Sequence, residues 1–350
     1  MHVVNISIEM YRKILVFGIV NLCFCDHVTF KNTSLFIRWL GENSGSNVTV
    51  KSASSLTDFL TEEYPKRGYY HSIILTNQNV PTLYNGSLAD LVILDTLALE
   101  FCNVHEIQPG AFRNLTSSVL SLKGNKIKEL KDDIFTGLGL KGLDLSRNGL
   151  STISESAFHQ MQMLLTINLS HNSISAWNVR WFKDNNMLMQ ILIQNNTIKS
   201  LPEFSFSNLA GDLPIALVFS HNRISRIDPN AFRGVKTIIK LALDNNLIED
   251  IGENTLNGIS IYTLRINNNM IKCLDGDLDN ILVAKKNYID FNPIACNCSD
   301  KIWKWAKDTG KHVELHNNRV DCIEERIMDQ MTNLRELVKD LNAARETEDF

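Results

Sequence analysis

The chain has 350 residues, 44% of them apolar, and a formal net charge of -4 with acids and bases mixed along its length. That is enough for a sizeable core in an ordinary globular composition. It excludes a basic stripe for nucleic acid and an acidic disordered block.

The N-terminus reads as an export signal. Arg12 and Lys13 precede the apolar run Ile14 to Phe24, and Asp26 ends it. Eleven residues are too few to span a bilayer, which predicts cleavage near Cys25 and a signal segment over 1–25. No later run is long enough to span, and the polar end "AARETEDF" excludes a lipid-anchor signal. The expectation is a secreted, extracellular protein. Export places the cysteines in an oxidising compartment. Asn-x-Ser/Thr sequons suit it, and Asn32, Asn47, Asn85, Asn114, Asn168 and Asn195 are candidate glycosylation sites, with Asn297 a weaker one.

Residues 26–70 contain no cysteine after the signal. "SLFIRWL" and "NVTV" predict a strand-forming N-terminal cap. A repeat then begins. Around Asn148, Leu140, Leu143 and Leu145 lie eight, five and three residues before, and Leu150, Ile153 and Phe158 lie two, five and ten after. The same frame fits Gln78, Cys102, Asn125, Asn148, Asn172, Asn196, Asn222, Asn246, Asn269 and Asn292, at steps of 23 to 26. The position two after each origin is always aliphatic. Ten after come Phe112, Phe135, Phe158, Phe182, Phe206 and Phe232 in six consecutive units. These columns resemble the leucine-rich repeat pattern L-x-x-L-x-L-x-x-N/C-x-L. The resemblance covers about residues 71–295. It implies an α/β solenoid, a horseshoe of about ten coils with a parallel concave sheet. Each origin asparagine offers a donor and an acceptor to the backbone buried at a bend. The phenylalanines fill the convex side, each ring on the next coil. Cys102, in the asparagine position of one coil, reads as a buried thiol.

"NPIACNCSDKIWKWA", Asn292 to Ala306, resembles the cysteine-rich C-terminal flank of these proteins, with a helical cap over 296–322. That flank carries four cysteines in the family; here Cys296, Cys298 and Cys322 are in register, and Cys273 stands as a replacement. Cys273 and Cys296 both lie four residues after an origin. Stacking at about 4.8 Å makes Cys273–Cys296 with Cys298–Cys322 the preferred pairing. The resemblance implies instead Cys296–Cys322, with Cys298 and Cys273 free or linked to another chain. Spacing alone leaves the three connectivities open. Over 323–350, Ile327, Met331, Leu334, Val338 and Leu341 alternate steps of four and three, the seam of a short coiled coil or of an amphipathic helix folded on the cap.

No nucleophile elbow, phosphate loop, dinucleotide fingerprint or kinase set is present. His312 and His316 in "HVELH" lack the glutamate placement of a zinc protease. The sequence calls for no catalytic residue, metal or cofactor, and for no nucleic-acid partner and no membrane span. Function is expected in side chains four and two before each origin, which leave the concave sheet. Leu192, Val218 and Ala242 form an outward apolar row there, with Tyr288 further along. Sequons Asn168 and Asn195 on or beside this face move the expected contact toward the C-terminal end or the lateral edges.

The whole layout resembles the leucine-rich immune proteins of mosquitoes: export signal, repeats, cysteine-bearing end, helical tail. This chain lacks an adjacent cysteine pair before the tail and its tail is short, like a short or nearly coil-less member. The resemblance implies innate immunity, with another leucine-rich repeat chain and a complement-like thioester protein as partners. The alternative is a receptor-like or matrix protein binding a developmental or adhesive ligand.

Overall fold

The computed structural model describes residues 27–65, 69–209 and 213–315, then 322, 327, 328, 330–336 and 339. The expected signal segment lies outside them, as do Val338 and Leu341. No helix among the described residues is long and apolar enough to cross a membrane.

One thirteen-stranded sheet runs the length of the molecule. It opens with an antiparallel hairpin, β1 (Phe30–Trp39) and β2 (Ser46–Ala53), in which β1 lies between β2 and β3 (Tyr70–Thr76). From β3 onward every pairing is parallel. The order is β4 (Ile93–Glu100), β5 (Val119–Ser121), β6 (Gly142–Asp144), β7 (Thr166–Asn168), β8 (Gln190–Leu192) and β9 (Ile215–Val218). It continues through β10 (Thr237–Ala242), β11 (Ser260–Arg265), β12 (Lys286–Tyr288) and β13 (His312–Glu314). Each partner lies one repeat away: Ile167 faces Leu143 on one side and Ile191 on the other. The fold is a solenoid of about ten parallel coils.

The strands are short because each coil needs only a few alternating residues to aim two side chains inward. In β6 and the residue after it, Leu143 and Leu145 are buried while Asp144 between them is half-exposed. The aliphatic column two residues past each origin is buried in every coil, from Val80 to Ile294. The six phenylalanines are buried too. Phe112, Phe135, Phe158 and Phe182 stack with centroids 5.5 to 6.3 Å apart. Between Phe182 and Phe206 the stack takes a wedge, Trp177, at 5.8 and 5.2 Å. Its indole N–H donates to Ser205 O at 2.9 Å, so the wedge buries no unpaired donor.

The asparagines do more than satisfy their own bend. In the eight coils from Asn125 to Asn292, Nδ2 donates to the carbonyl three residues back and to the equivalent carbonyl of the preceding coil. Oδ1 accepts from the backbone N–H two residues past the preceding origin. The result is a ladder that ties coil to coil. Cys102 substitutes in its coil: Sγ donates weakly to Leu75 O and Glu100 O, and burial pushes the thiol up to about 11. Gln78 departs from the ladder. Its side chain accepts from Ser34 N at 2.8 Å and so joins the first coil to β1.

The bend itself is made one residue earlier. Asn77, Phe101, Gly124, Arg147, His171, Asn195, His221, Asn245, Asn268 and Phe291 all have φ between 52° and 72°. Asparagine and glycine enter this left-handed region most readily. At Gly124 there is a second reason: a Cβ there would lie 2.3 Å from the Phe101 ring.

Both ends are sealed. The N-terminal cap buries Phe30, Leu35, Ile37, Trp39, Val48 and Val50 under the hairpin, with Leu56 and Leu60 of α1 (Leu56–Glu63) closing the other side. Ser55 caps α1 by accepting from Asp58 N. At the far end a short helix α2 (Leu278–Ile281) precedes α3 (Cys296–Thr309), which buries Cys298, Ile302 and Ala306 and stops at Gly310 in the left-handed conformation.

The cysteines pair as Cys273–Cys298 and Cys296–Cys322, each with Cα atoms 5.5 Å apart. This corrects the preferred pairing of the sequence reading. Equal repeat positions stack only while the chain keeps coiling. After Asn292 it turns into α3 at Cys296, so Cys298, two residues on, is the one that reaches back to Cys273. Cys296–Cys322 agrees with the family-like alternative, but Cys273 and Cys298 are joined rather than free. Replacing Cys298 by serine is therefore expected to expose one new thiol, at Cys273, and to leave Cys296–Cys322 intact. Alkylation and peptide mapping check this; a free Cys322 instead would overturn the pairing. Opening a loop of this length is expected to lower stability by roughly 3 kcal/mol.

The described tail residues are helical. Ile327, Met331 and Leu334 are 49 to 64% exposed, so this part of the seam is not buried on the cap.

Candidate functional site: the concave sheet

The sheet presents side chains in rows one coil spacing apart, about 4.8 Å. Four residues before the origins run Ala98, Ser121, Asp144, Asn168, Leu192, Val218, Ala242, Arg265 and Tyr288. Of the expected apolar row, Leu192 and Val218 are half-exposed, but Ala242 is 1% exposed and adds nothing to the surface. A methyl group between two longer neighbours, Val218 and Arg265, sits below the level they reach. The row changes character there, from aliphatic to charged and aromatic.

The C-terminal part of the face is pre-organised. The Arg265 guanidinium lies 4.9 Å over the Tyr288 ring, and its Nε is 4.0 Å from Asp244 Oδ1. Asp244 is held from both sides: Ser220 Oγ donates to Oδ1 at 2.7 Å and Asn245 Nδ2 donates to Oδ2 at 2.9 Å. Tyr288 in turn faces His312 at 5.8 Å between ring centroids. Arginine and tyrosine fixed in this way lose little rotamer freedom on contact, which favours them as interface anchors. Beneath them the row two residues before the origins is polar. In it Ser170 Oγ, Gln194 Oε1 and Asn267 Oδ1 are buried and make no hydrogen bond among the described residues. Spare hydrogen-bonding capacity on a recognition face suits a polar partner or bridging water.

The face carries Glu100, Asp144, Asp244, Asp290 and Glu314 against Lys123, Lys240, Arg265 and Lys286. That balance gives a phosphate backbone no continuous basic track. On the rim, burial first, then the nearby Arg147 and His221, lowers the His171 imidazole from its ordinary value, favouring the neutral form.

The glycosylation candidates divide by place. Asn32, Asn47, Asn85 and Asn114 are exposed toward the N-terminal end. Asn168 is on the concave face itself, with Nδ2 donating to Asp144 Oδ2 and Oδ1 accepting from Ser170 N. Asn195 is half-exposed on the rim. The concave surface from Val218 to Glu314 carries no candidate sequon. Among the described residues no cluster of His, Cys, Asp or Glu is arranged to hold a metal ion, and His316 lies outside them. A polar cleft of about 380 Å³ beside the N-terminal cap, lined in part by His27, Tyr84, Asp90 and Arg113, holds no nucleophile paired with a base.

Repeating coils, an asparagine ladder, a parallel concave sheet and capped ends together define the leucine-rich repeat solenoid. A family model described as leucine rich repeat matches residues 118–174 and 216–277. Tsukushi of Gallus gallus is 28% identical over 188 residues, covering 52% of this chain and 43% of that protein. In the crystal structure of the TLR13–ssRNA13 complex, a chain matches 63% of this one with a TM-score of 0.56 and 25% identity, over 32% of its own length. The Drosophila Toll–Spatzle complex contains a chain matching 71% of this one at a TM-score of 0.52 and 19% identity, over 39% of its length. The chain thus spans less than half of each of these relatives.

Proposed function

We propose that this chain is a secreted, non-catalytic protein-binding scaffold, and that its partner seats on the concave face between Val218 and Glu314. The observation that carries the reading is the fixed Asp244–Arg265–Tyr288 group on a stretch of sheet free of sequons. Within that reading, two disulfides, six sequons and the export signal fit a body-fluid glycoprotein. The layout favours innate immune recognition, with the scaffold stabilising a complement-like thioester protein, alone or beside another leucine-rich repeat chain. RNA, bound by the TLR13 chain, suits this face poorly because its acids match or outnumber its bases. A receptor-like or matrix role, with a developmental or adhesive ligand, is the second reading.

The test is affinity capture from the body fluid of the source organism, with the intact chain beside its Arg265→Glu and Tyr288→Ala variants. A captured protein whose yield falls at least tenfold with either variant supports the site. Equal capture by all three moves the site elsewhere, and a thioester protein among the partners selects the immune reading over the matrix one.

A further inference from the structure

Apart from the concave face, a stripe of open apolar side chains lies on one flank, at residues nine and seven before the origins, before or within the strands. Met163 in the coil of Asn172, Met187 and Met189 in the next, Leu213, Ile239 and Tyr262 in the following three are all 36 to 49% exposed. Strand stacking brings neighbouring parts together: Met189 N donates to Leu165 O and Ala216 N to Met189 O, both at 2.8 Å, and the pairing of Ile238 with Ile261 and Lys240 with Thr263 sets Ile239 beside Tyr262. In the coil of Asn222 the residue seven before, Ile215, is buried and Leu213 is the open one. The stripe therefore crosses five consecutive coils. Lysines bracket it. Lys141 stands at one end, while Lys285 and Lys286 flank the Tyr262 ring at 5.8 and 5.6 Å at the other. No candidate sequon falls on it. Thioether side chains suit an adaptable contact, and an apolar stripe this long is unusual on an isolated chain.

The same chain exposes a second apolar strip, the tail seam of Ile327, Met331 and Leu334. Its steps of four and three residues on a helix measure about 6 and 4.5 Å. The coils repeat at about 4.8 Å. A helix laid along the solenoid axis would thus bring one seam residue to each coil. The charges match as well. Residues 323–350 hold eight acids and four bases, which accounts for the net -4 of the whole chain, and the stripe's two ends are basic. Stripe and seam are both open within a single chain.

We propose that the flank stripe is the docking surface for the C-terminal helix of a second copy of this chain, the two copies exchanging helices across a twofold axis. Each copy supplies one stripe and one seam, so the contact is made twice.

Light scattering of the full chain at micromolar concentration tests this, with two variants: Met189→Glu/Ile239→Glu on the stripe and Leu334→Glu on the tail. All three positions are exposed, so folding, checked by circular dichroism, is expected to be unchanged; Met189→Gln/Ile239→Gln is the milder replacement for the stripe pair. The wild type is expected to have the mass of two chains. Each variant is expected to have the mass of one, with association weakened at least about tenfold. An equimolar mixture of the two variants is the decisive sample. The tail variant still has a stripe and the stripe variant still has a tail, so mixing restores a pair. A monomeric wild type overturns the proposal. So does a stripe variant that stays paired, which describes a tail-to-tail coiled coil, or a mixture that stays monomeric, which shows that stripe and tail do not bind each other.

Discussion

Replacing Asn246 by alanine is expected to lower stability by about 4 kcal/mol. The side chain makes three kinds of bond at once. Nδ2 donates to Phe219 O and Leu243 O at 3.1 and 3.0 Å, and Oδ1 accepts from Ile224 N at 3.0 Å. The carbonyls are not orphaned by the change. Phe219 O keeps the amide of Asn222, and Leu243 O keeps that of Asn269. Ile224 N has no such second partner among the described residues, and it belongs to a residue that is fully buried. Leaving one buried donor unmet costs about 1–3 kcal/mol, and the lost net bonds add about 1 kcal/mol each. Asn246→Asp makes the sharper comparison. It keeps an acceptor for Ile224 N but turns an oxygen toward two carbonyl oxygens and buries a charge. At neutral pH it is expected to be worse than alanine. Its carboxyl would titrate above the ordinary range in the folded state. The deficit is therefore present above that raised value and shrinks as pH falls through it. Urea unfolding at pH 7 and pH 5 measures both effects. Hydrogen exchange at Ile224 N reports the local one. Alanine and aspartate variants as stable as the parent would show that the ladder is not what ties the coils.

The ladder also marks how far the sequence can be read. An asparagine recurring every 23 to 26 residues, with aliphatics at fixed offsets, was legible as a bend-satisfying column, because both the turn and the burial demand it locally. That each amide reaches into the preceding coil was not legible, since it depends on how adjacent coils stack in space. The left-handed residue before each origin left a trace: Asn77, Gly124, Asn195, Asn245 and Asn268 occupy half of those positions with the residue types that enter it most easily. The disulfides show where periodicity fails. Equal offsets put Cys296 over Cys273, but the offset loses meaning once α3 begins. The concave site was half legible. Strand alternation identifies the outward rows, yet it cannot tell that Ala242 lies below its neighbours or that Arg265 is fixed over Tyr288. The flank stripe went unseen for the same reason. Met187, Met189 and Leu213 precede the strands, outside the repeat consensus, and only stacking makes them neighbours.

The other large effect is expected at Phe206. Alanine there should cost about 4 kcal/mol, near the middle of the range for deleting a buried phenyl ring. The site cannot collapse easily, because rings press on Phe206 from three directions: Phe232 stacks at 5.0 Å, Trp177 tilts at 5.2 Å and Phe219 meets it edge-on at 5.7 Å. Among the described residues Trp177 is the only ring joining this pair of coils to the Phe182 side of the stack, and its N–H is already committed to Ser205 O. Emptying the Phe206 position would remove one of the two rings that Trp177 meets at 5.2 Å, Phe219 being the other, at the longest step in the repeat, the 26 residues from Asn196 to Asn222. Phe112 provides the control. It is just as buried, but among the described residues it stacks on one ring only, Phe135 at 5.7 Å. A position in the middle of a one-dimensional stack couples two neighbours, whereas one at its end couples one. Phe206→Ala is therefore expected to cost more than Phe112→Ala, and Phe206→Leu less than half as much as Phe206→Ala, since leucine refills most of the volume. Equilibrium urea denaturation of the three variants, followed by tryptophan fluorescence and by far-ultraviolet circular dichroism, settles the order. Equal losses at Phe112 and Phe206 would mean that the rings act singly and that the stack transmits nothing between coils.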